Sequence, residues 1–471
     1  MKNFFLFALL LAGMASAQQI SFEEHSGHGI TAVLGSFISA DVNGDGIDDV
    51  FAAGLVAHGS PAEATLYFGN GDGTFSPAPV QPFIPLEGER KSAIFVYVDE
   101  VPKYLIAFGP FNEVMRTIVY INDGAGNFSL HQELTGMRSG SIATGALHTG
   151  ESNTPYVLIL GNLSNGGGLA LHGYKLQDGY FVPVSLPSVM TDNAPGWAPD
   201  IHIFDYNLDG APDVLMSGVC TGGCYATKLY RNDGDMNFSL VATPFVEVGW
   251  SNLASGTLEE GNPYPWVAVS GEDSSGNRTS RLYRNDAGVF SLAQTLPLPT
   301  NGDIVIDDVD NDGHLDMFLL GTYSDLSCIA RMFKNTGTGQ MTLARTFEPG
   351  LAGTALLIDI NSDGKKDLIY TGGVVPLNIW IRAFINTTQT VGLDDFDSKS
   401  FVMYPNPTRD VVYITTAPGL DITGIYVTDM AGRRFALPVS DRVDLGNFSS
   451  GMYYITLVTD QGQTSKPVVK R

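Results

Sequence analysis

Seven copies of one short phrase, almost evenly spaced, constrain the fold of this chain more than any other feature of its sequence. Each copy has an aromatic residue, one variable residue and, in all copies but one, an Asn before a turn. The aromatic residues are Phe68, Tyr120, Tyr174, Tyr230, Tyr283, Phe333 and Phe384. Successive copies lie 52, 54, 56, 53, 50 and 51 residues apart. An even period of this length predicts seven structural repeats in tandem.

Each repeat has the pattern of four short β-strands. An apolar segment and a turn come first, then a second apolar strand that ends in Gly, then the aromatic phrase and a strand such as FSLHQEL. Short strands bounded by turn residues, without helical periodicity, are typical of an all-β repeat. Seven such repeats predict an all-β fold, a seven-bladed β-propeller of four-stranded blades.

The last repeat ends at residues 387–390 without its fourth strand, and a segment near the N-terminus can supply it. Residues 20–24 read ISFEE, which resembles the missing strand. We expect this segment to complete blade seven and close the ring, which removes exposed sheet edges. A disordered N-terminus is the alternative, because chain ends are often disordered.

A nine-residue acidic phrase occurs in four of the repeats, at 41–49, 205–213, 308–316 and 359–367. All four copies fit D-x-[DN]-x-D-G-x-x-D. Alternate residues of a tight loop place three side-chain oxygens on one side, and the Gly permits a sharp turn before a backbone carbonyl and a last carboxylate. Such an oxygen cage suits Ca²⁺. An ordinary turn rich in Asp, Asn and Gly is the alternative.

The acidic loops are not EF-hands. The twelfth position, where an EF-hand has an acidic residue, holds Ala52, Met216, Leu319 and Tyr370. A strand-like apolar run follows each loop, so the cage would lie between two strands. Repeats two, three and five keep some acidic residues but lack the alternating ligands, and we expect no strong metal site there.

Over about residues 20–390 the chain resembles the FG-GAP/VCBS repeat family, the propeller type also found in integrin α-subunit heads. Members of that type bind Ca²⁺ in the loop between the first two strands of a blade. The resemblance implies the side-chain ligands Asp41, Asn43, Asp45, Asp49, Asp205, Asn207, Asp209, Asp213, Asp308, Asp310, Asp312, Asp316, Asp359, Asn361, Asp363 and Asp367. It also implies backbone ligands, the carbonyl oxygens of Ile47, Ala211, His314 and Lys365.

The N-terminus has the pattern of a secretory signal peptide. Lys2 supplies a positive charge, residues 4–11 are apolar, and the small residues 15–17 form a cleavage site. The predicted domains are a signal peptide at 1–17, the propeller at 18–390, a linker at 391–400 and a second domain at 401–471.

The second domain resembles the type A sorting domain of the type IX secretion system, found in Bacteroidetes. It has Pro-Asn-Pro-Thr at 405–408, V-x-D-x-x-G-R at 427–433 and the ending KPVVKR at 466–471. Its residues alone predict about six or seven strands in a small β-sandwich. The resemblance implies the type IX machinery as a partner and a location that is secreted or on the outer cell surface. An Ig-like binding module is the alternative.

The formal net charge of −24 excludes classes of partner. An acidic chain is not expected to bind nucleic acid or an anionic membrane surface. After the signal, no apolar run reaches the roughly 18–20 residues of a transmembrane helix. We expect an exported monomer. Cys220 and Cys224 could form a small hairpin disulfide or remain free thiols, and Cys328 is left over.

The sequence contains no G-x-S-x-G, no H-E-x-x-H and no phosphate-binding Gly loop. We therefore expect a binding or adhesion protein for an extracellular glycan or protein, and not an enzyme. The candidate ligand residues, on the face opposite the calcium loops, are Trp197, Trp250, Arg90 and Arg138. Packing between blades is the alternative for the tryptophans. A polysaccharide hydrolase or lyase with paired carboxylates is the alternative function, and a structural surface component is the third.

Overall fold

The structure is a computed structural model. It describes residues 19–31, 34–56, 61–87, 91–148, 154–163, 169–191, 194–195, 197–220, 222–296, 300–322, 328–348, 353–374, 378–388, 401–416, 422–429, 433–449, 451–459 and 462–471. The predicted signal peptide at 1–17, the linker at 391–400 and Arg90 lie outside these ranges. Gln19–Thr388 forms one compact unit, and the described residues from 401 onward belong to a second.

The first unit contains seven four-stranded antiparallel sheets. Six of them are built from consecutive strands: β2 (Leu34–Ala40), β3 (Asp49–Leu55), β4 (Ala62–Gly69) and β5 (Phe75–Pro77); β6 (Ala93–Val98), β7 (Val101–Phe111), β8 (Val114–Asn122) and β9 (Phe128–Leu134); β10 (Met137–Gly145), β11 (Tyr156–Leu163), β12 (Leu169–Gln177) and β13 (Tyr180–Val184); β14 (Trp197–Phe204), β15 (Asp213–Val219), β16 (Tyr225–Asn232) and β17 (Phe238–Val241); β18 (Gly249–Gly256), β19 (Trp266–Glu272), β20 (Arg278–Asp286) and β21 (Val289–Leu296); β22 (Thr300–Asp307), β23 (Asp316–Thr322), β24 (Cys328–Lys334) and β25 (Thr342–Phe347). The seventh combines β26 (Ala355–Ile358), β27 (Asp367–Val374) and β28 (Asn378–Asn386) with β1 (Phe22–His25).

A short helix, α1 (Ser188–Thr191), lies between the third and fourth sheets in the chain. No helix in the described ranges is long and apolar enough to cross a membrane.

The sheets form a closed ring. The first strand of each sheet, its inner strand, contacts the inner strand of the next sheet, from β2 and β6 through to β22 and β26. The inner strand of the seventh sheet, β26, contacts β2, so the series returns to its start. The seven-bladed propeller of four-stranded blades predicted from the repeats is therefore confirmed.

The N-terminal strand completes the seventh blade, as predicted. β1 pairs antiparallel with β28, with Phe22 opposite Asn386. Beyond this strand, the N–H of Thr387 donates to the Ser21 carbonyl at 2.9 Å. This pairing joins the two ends of the repeat region and removes the open edge that blade seven would otherwise expose.

Six of the seven aromatic residues that mark the repeats are buried within the blades, and Phe68 is half-buried. Tyr120, Tyr230 and Tyr283 are among the largest fully buried side chains. The Tyr120 hydroxyl accepts the N–H of Ile84 at 2.8 Å, and the Tyr283 hydroxyl accepts that of Val246 at 2.8 Å. Burial of such a side chain contributes about 2–3 kcal/mol. Tyr120 and Tyr283 thus also fix the segments through which the chain enters blades two and five.

The second unit is a small β-sandwich, as predicted. Its strands are β29 (Phe401–Tyr404), β30 (Val411–Thr416), β31 (Ile422–Asp429), β32 (Arg434–Leu437), β33 (Arg442–Asp444), β34 (Gly451–Thr459) and β35 (Gly462–Lys470). One sheet has the order β29-β30-β33 and the other β32-β31-β34-β35. Val412 and Val443 from the first sheet share a core with Val427, Ile455 and Leu457 from the second.

Candidate metal loops and ligand surfaces

The four acidic loops have one common backbone conformation. Each joins the inner strand of a blade to its second strand, in blades one, four, six and seven. The first Asp of the phrase accepts the N–H groups of the fifth and sixth residues at 2.7–3.2 Å. The sixth residue has φ of 86°, 84°, 87° and 80° at Gly46, Gly210, Gly313 and Gly364. This left-handed conformation favours Gly, which explains its place in the phrase.

The ninth residue of each phrase, the closing Asp, is a buried hydrogen-bond acceptor. Asp49, Asp213, Asp316 and Asp367 are each 0% exposed. One carboxylate oxygen accepts the N–H of the second phrase residue at 3.0–3.2 Å. The other accepts an N–H at the end of the blade's third strand at 2.6–3.0 Å. Each closing Asp therefore joins its loop to the body of its own blade.

Burial of the closing residues affects their ionisation. It raises the pKa of Asp49 and Asp367 to about 6 and that of Asp213 and Asp316 to about 7, while their backbone hydrogen bonds act in the opposite direction. A divalent cation beside the loop would favour the ionised carboxylates.

The donor atoms of the loops have the chemistry that Ca²⁺ prefers. Within each loop, the Asp and Asn side chains of the phrase lie in one turn and offer hard oxygen ligands. In blade six, oxygens of Asp308, Asp310 and Asp316 lie within 4.8 Å of one another. In all four loops Oδ1 of the fifth residue, an Asp, accepts the backbone N–H of the seventh residue at 2.8–3.0 Å.

In five of the seven blades, the Asn of the aromatic phrase bonds its blade to the one before it. In blade five, the Asn285 amide donates to the carbonyl oxygen of Tyr206 in the loop of blade four at 2.7 Å and to that of Pro265 in its own blade at 3.1 Å. Its side-chain oxygen accepts the N–H of Gly288 at 2.8 Å. The same pair of bonds to carbonyl oxygens is made from buried positions by Asn122, Asn232, Asn335 and Asn386.

Three of these asparagines donate hydrogen bonds directly to acidic loops. The carbonyl in the preceding blade belongs to the second residue of an acidic phrase in three cases, Val42, Tyr206 and Val309. The sequence reasoning treated this Asn only as a marker of the repeat. The signal that could have revealed its role is a constant offset, since it lies 19 residues after the closing Asp in blades four, six and seven.

The junction of blade seven with blade one uses a different bond. Asn70 is exposed, and its amide donates to Thr74 Oγ1 at 2.8 Å and to Ser76 Oγ at 3.1 Å. Here the N–H of Gly73 donates to the carbonyl oxygen of Ile360 at 2.9 Å. Ile360 is the second residue of its phrase, so the same carbonyl position is fastened by the main chain.

The loop of blade six differs from the other three by a lysine. The ammonium of Lys334, the last residue of β24, contacts Asp310 Oδ2 and lies 3.1 Å from Asp312 Oδ2. Burial acts to lower the pKa of Lys334, but its hydrogen bonds to the two carboxylates outweigh this effect and raise it. The side chain is therefore charged in the folded protein. The strand register matches Lys334 with Phe68 in blade one and Ile385 in blade seven, which carry no charge.

A ring of polar side chains surrounds the axis of the propeller near the starts of the inner strands. We call this set the axial ring: Ser36, Ser92, Ser141, Asp200, Asn252, Asp303 and Thr354, each at most 8% exposed. Two pairs of neighbouring members bond directly to each other. Ser36 Oγ lies 3.1 Å from Ser92 Oγ, and Ser141 Oγ donates to Asp200 Oδ1 at 3.0 Å.

Lys91 crosses the axial ring. From blade two, its ammonium lies 2.5 Å from Asp200 Oδ2 in blade four and 3.8 Å from Asp303 Oδ1 in blade six. The Asp200 side chain is 2% exposed and also accepts the N–H of Leu253, in blade five, at 2.7 Å. This cluster therefore joins blades that are not neighbours in the ring, and loss of one partner would leave a buried charge unpaired.

The residues predicted to bind a ligand lie at the starts of inner strands. Arg138 is the second residue of β10 and is exposed. Trp250 is the second residue of β18, is half-buried and has its ring 6.4 Å from that of Tyr225. Trp197 is the first residue of β14, and its side chain lies outside the description, as does the whole of Arg90.

The two tryptophans do not occupy matching points of their blades. The strand register places Trp197 three residues before Asp200, and Gly249 has that place before Asn252. Trp250 is therefore shifted by one residue. The distance of 53 residues between the tryptophans resembles the repeat period, but the axial-ring residues of these blades are 52 apart.

A cleft of about 550 Å³ lies between blades two and three, where the acidic phrase is missing. Its lining includes Tyr97, Asp99 and Glu100 from blade two and Thr144 and Thr154 from blade three. Tyr97 is 46% exposed. No sequence motif marks this cleft, because its lining comes from short segments of two blades.

Cys220 and Cys224 are free thiols in the structure. The Cys220 side chain is buried, and its N–H donates to the Cys224 carbonyl at 2.7 Å. Burial, helped by a hydrogen bond to the Cys224 thiol, raises the pKa of Cys220 to about 11. Such a thiol is a poor nucleophile. Cys328 begins β24, and its side chain is outside the description.

Two family models match the chain. The model of a secretion system C-terminal sorting domain matches residues 402–471. The model of an FG-GAP-like repeat matches residues 41–99 and 308–370, which include the acidic loops of blades one, six and seven. A comparison with curated proteins found no match.

Solved structures with similar folds have different activities. A fungal alcohol oxidase of the AA5 family, in complex with copper, is 13% identical, with a TM-score of 0.47 over 94% of this chain and 100% of its own. The Aleuria aurantia lectin is 13% identical, with a TM-score of 0.39 over 67% and 96%. An alpha-L-arabinofuranosidase from Fusarium graminearum is 12% identical, with a TM-score of 0.37 over 63% and 93%. At these values the likeness carries no argument about what this chain does.

Proposed function

We propose that this chain, which carries FG-GAP-like repeats on a propeller and a sorting domain for export by the type IX secretion system, binds calcium and an extracellular glycan or protein. It would act as a monomer, secreted or attached to the cell surface. The sorting domain directs export, and the propeller carries the binding function.

The observation that supports this proposal is a division between the two ends of the inner strands. The acidic loops follow the last residues of the inner strands, and each offers only oxygen donors. The opposite end holds the exposed Arg138 and the half-buried Trp250. Arg and Trp are common anchors of binding surfaces. We assign the ligand to this second end.

Calcium would stiffen the loops and would not take part in chemistry. Its ligands would be the first, third, fifth and closing side chains of a phrase with the seventh carbonyl oxygen, for example Asp41, Asn43, Asp45, Asp49 and Ile47. The second residue of each phrase is already bonded to the next blade. An ordered loop would therefore hold a junction between blades.

A glycan array probed with the full-length protein, in calcium and in EDTA, tests the binding function. We expect binding that is lost in EDTA, lost in Trp250→Ala and weakened in Arg138→Ala. Tyr97→Ala, at the cleft, is the matched control and should bind like the wild type. Loss of binding in Tyr97→Ala alone would move the ligand to the cleft. No binding to glycans, and none to extracellular proteins in a parallel screen, would contradict the proposal.

A polysaccharide hydrolase or lyase remains the second candidate function, because the cleft presents Asp99 and Glu100 to solvent. Carboxylates in a cleft can act as acid and base on a glycan. This function predicts the release of reducing ends from a polysaccharide by the wild type and a loss of that release in Asp99→Asn. An inactive wild type would exclude it for the polysaccharides tested.

A further inference from the structure

We infer that the ammonium of Lys334 takes the place of calcium in the acidic loop of blade six, so that the propeller binds calcium in three of its four loops. This inference rests on the calcium proposed for the other three loops. It departs from the expectation of four equivalent sites that the repeated phrase suggests.

The position of the lysine is the first argument. Its ammonium contacts Asp310 Oδ2 and lies 3.1 Å from Asp312 Oδ2. These are the third and fifth residues of the phrase, which the repeat pattern assigns to the metal. The Lys334 side chain is 10% exposed and that of Asp310 is 0% exposed, so the pair lies inside the loop.

The chemistry of an ammonium group is the second argument. It has three donors and no acceptor, so it can satisfy carboxylates but cannot coordinate a metal ion. A calcium ion at the same oxygens would lie within a few ångströms of a positive charge. Displacement of the lysine would also separate a buried ion pair, which is unfavourable. The loop is therefore already neutralised from within the chain.

A compensating change in the phrase is the third argument. The third residue is Asn43, Asn207 and Asn361 in the other loops, but it is Asp310 in blade six. The blade with the extra cation is thus the blade with the extra carboxylate. Counted over the proposed ligand side chains and Lys334 alone, the loop of blade six therefore has the same net charge as a loop that has Asn and no lysine.

The other loops have no cation in this position. The strand register matches Lys334 with Phe68 in blade one and Ile385 in blade seven. In blade four it is Arg231, which points to Asp233 at 2.6 Å, outside the phrase.

Blade seven contains two lysines within its phrase, but neither is placed like Lys334. Lys366 Nζ lies 3.6 Å from Asp307 Oδ2, outside the phrase. Lys365 Nζ lies 4.0 Å from Asp363 Oδ2, beyond hydrogen-bond distance, and its side chain is 29% exposed. It can leave the loop without separating a buried pair.

Equilibrium dialysis of the full-length protein against calcium, with the metal counted in each compartment, tests the inference. The wild type should bind three ions per chain, and Lys334→Met, which keeps the apolar stem and removes the charge, should bind four. Lys334→Arg keeps a cation and should bind three. Arg231→Met, at the matching position of blade four, should also bind three.

A second variant guards against a folding defect. Lys334→Met leaves Asp310 buried without its cation, so the double variant Lys334→Met with Asp310→Asn restores the phrase of the other loops. It should fold and bind four ions. Four ions in the wild type, or three in the double variant, would overturn this inference and leave the calcium proposal intact. No bound calcium in any of these proteins would overturn the calcium proposal and this inference with it.

Discussion

The two ends of the inner strands hold the ring together in different ways. At one end, carboxylates of the acidic loops accept backbone N–H groups a few residues away, and buried Asn side chains join three of the four loops to the next blade. At the other end, the axial ring joins side chain to side chain, and Lys91 reaches Asp200 across 109 residues of sequence. The loop end, which holds the acidic loops, has the same local hydrogen bonds in every loop. The axial end, which holds the axial ring, depends on a single cluster of side chains. Changes at the loop end should therefore destabilise single blades by graded amounts, and changes at the axial end should destabilise several blades at once.

Removal of calcium should have the largest effect and acts on the loop end alone. A ligand that binds only the folded state stabilises that state by about 2.7 kcal/mol per site when its free concentration is about 100 times its dissociation constant. Three calcium sites would contribute roughly 8 kcal/mol. The melting temperature of the propeller should fall by about 10 °C in EDTA. Differential scanning calorimetry with calcium, with EDTA and with EDTA plus excess calcium checks this. An unchanged melting curve would contradict the calcium assignment.

Lys91→Met tests the axial end. It leaves Asp200 buried and unpaired, which should cost about 3–5 kcal/mol of unfolding free energy. The double variant Lys91→Met with Asp200→Asn removes both charges and should recover most of that loss. Urea unfolding in saturating calcium measures both. Equal instability of the single and double variants would show that the ion pair is not what joins these blades.

Asn285→Ala tests a junction at the loop end. The change removes three hydrogen bonds and leaves buried carbonyl oxygens unsatisfied, so we expect a loss of about 2–4 kcal/mol. Asn70→Ala, at the exposed and differently bonded junction of blades seven and one, is the matched control and should change stability by less than about 0.5 kcal/mol. Similar losses in both would contradict the role given to the buried amide.

Protonation of His202, on β14, should have a smaller effect on folding stability, and this effect appears only at acidic pH. Its Nε2 lies 2.8 Å from Ser255 Oγ, and burial lowers its pKa to about 4, with Asp200 acting in the opposite direction. The folded state favours the neutral imidazole, so its stabilising contribution is present above pH 6.5 and is lost as the pH falls towards 4. At pH 5 the loss is about 2 kcal/mol. Relative to the wild type, His202→Gln should gain melting temperature as the pH falls from 6.5 to 4.5, measured in EDTA to remove the calcium contribution. The four buried closing Asp residues titrate in both proteins and cancel in this difference.

The same contrast explains what the sequence could predict. The blades, the loops and the closing strand are encoded by phrases that recur at a fixed period, so Gly46 or Asp49 can be read from one short segment. The axial ring cannot, because its members are Ser, Asp, Asn and Thr in no fixed order and meet only when the ring closes. Lys334 was missed for a related reason, since it lies on a different strand from the carboxylates that it neutralises. The repeat period alone was also misleading. Trp197 and Trp250 are about one period apart in the sequence, but they do not occupy matching positions in their blades.

The pairing of β1 with β28 links the start of the repeat region to its end. Phe22 is among the first residues described, yet its partner Asn386 lies in the last strand of the propeller. A chain that stops before residue 378 lacks β28 and cannot form the sheet of blade seven, even if its other blades are complete. Such a product would keep an open sheet edge, and it would also lack the sorting domain that begins after residue 400. Any truncation that leaves the propeller open therefore also removes the sorting domain, so an incomplete propeller lacks the domain that directs export.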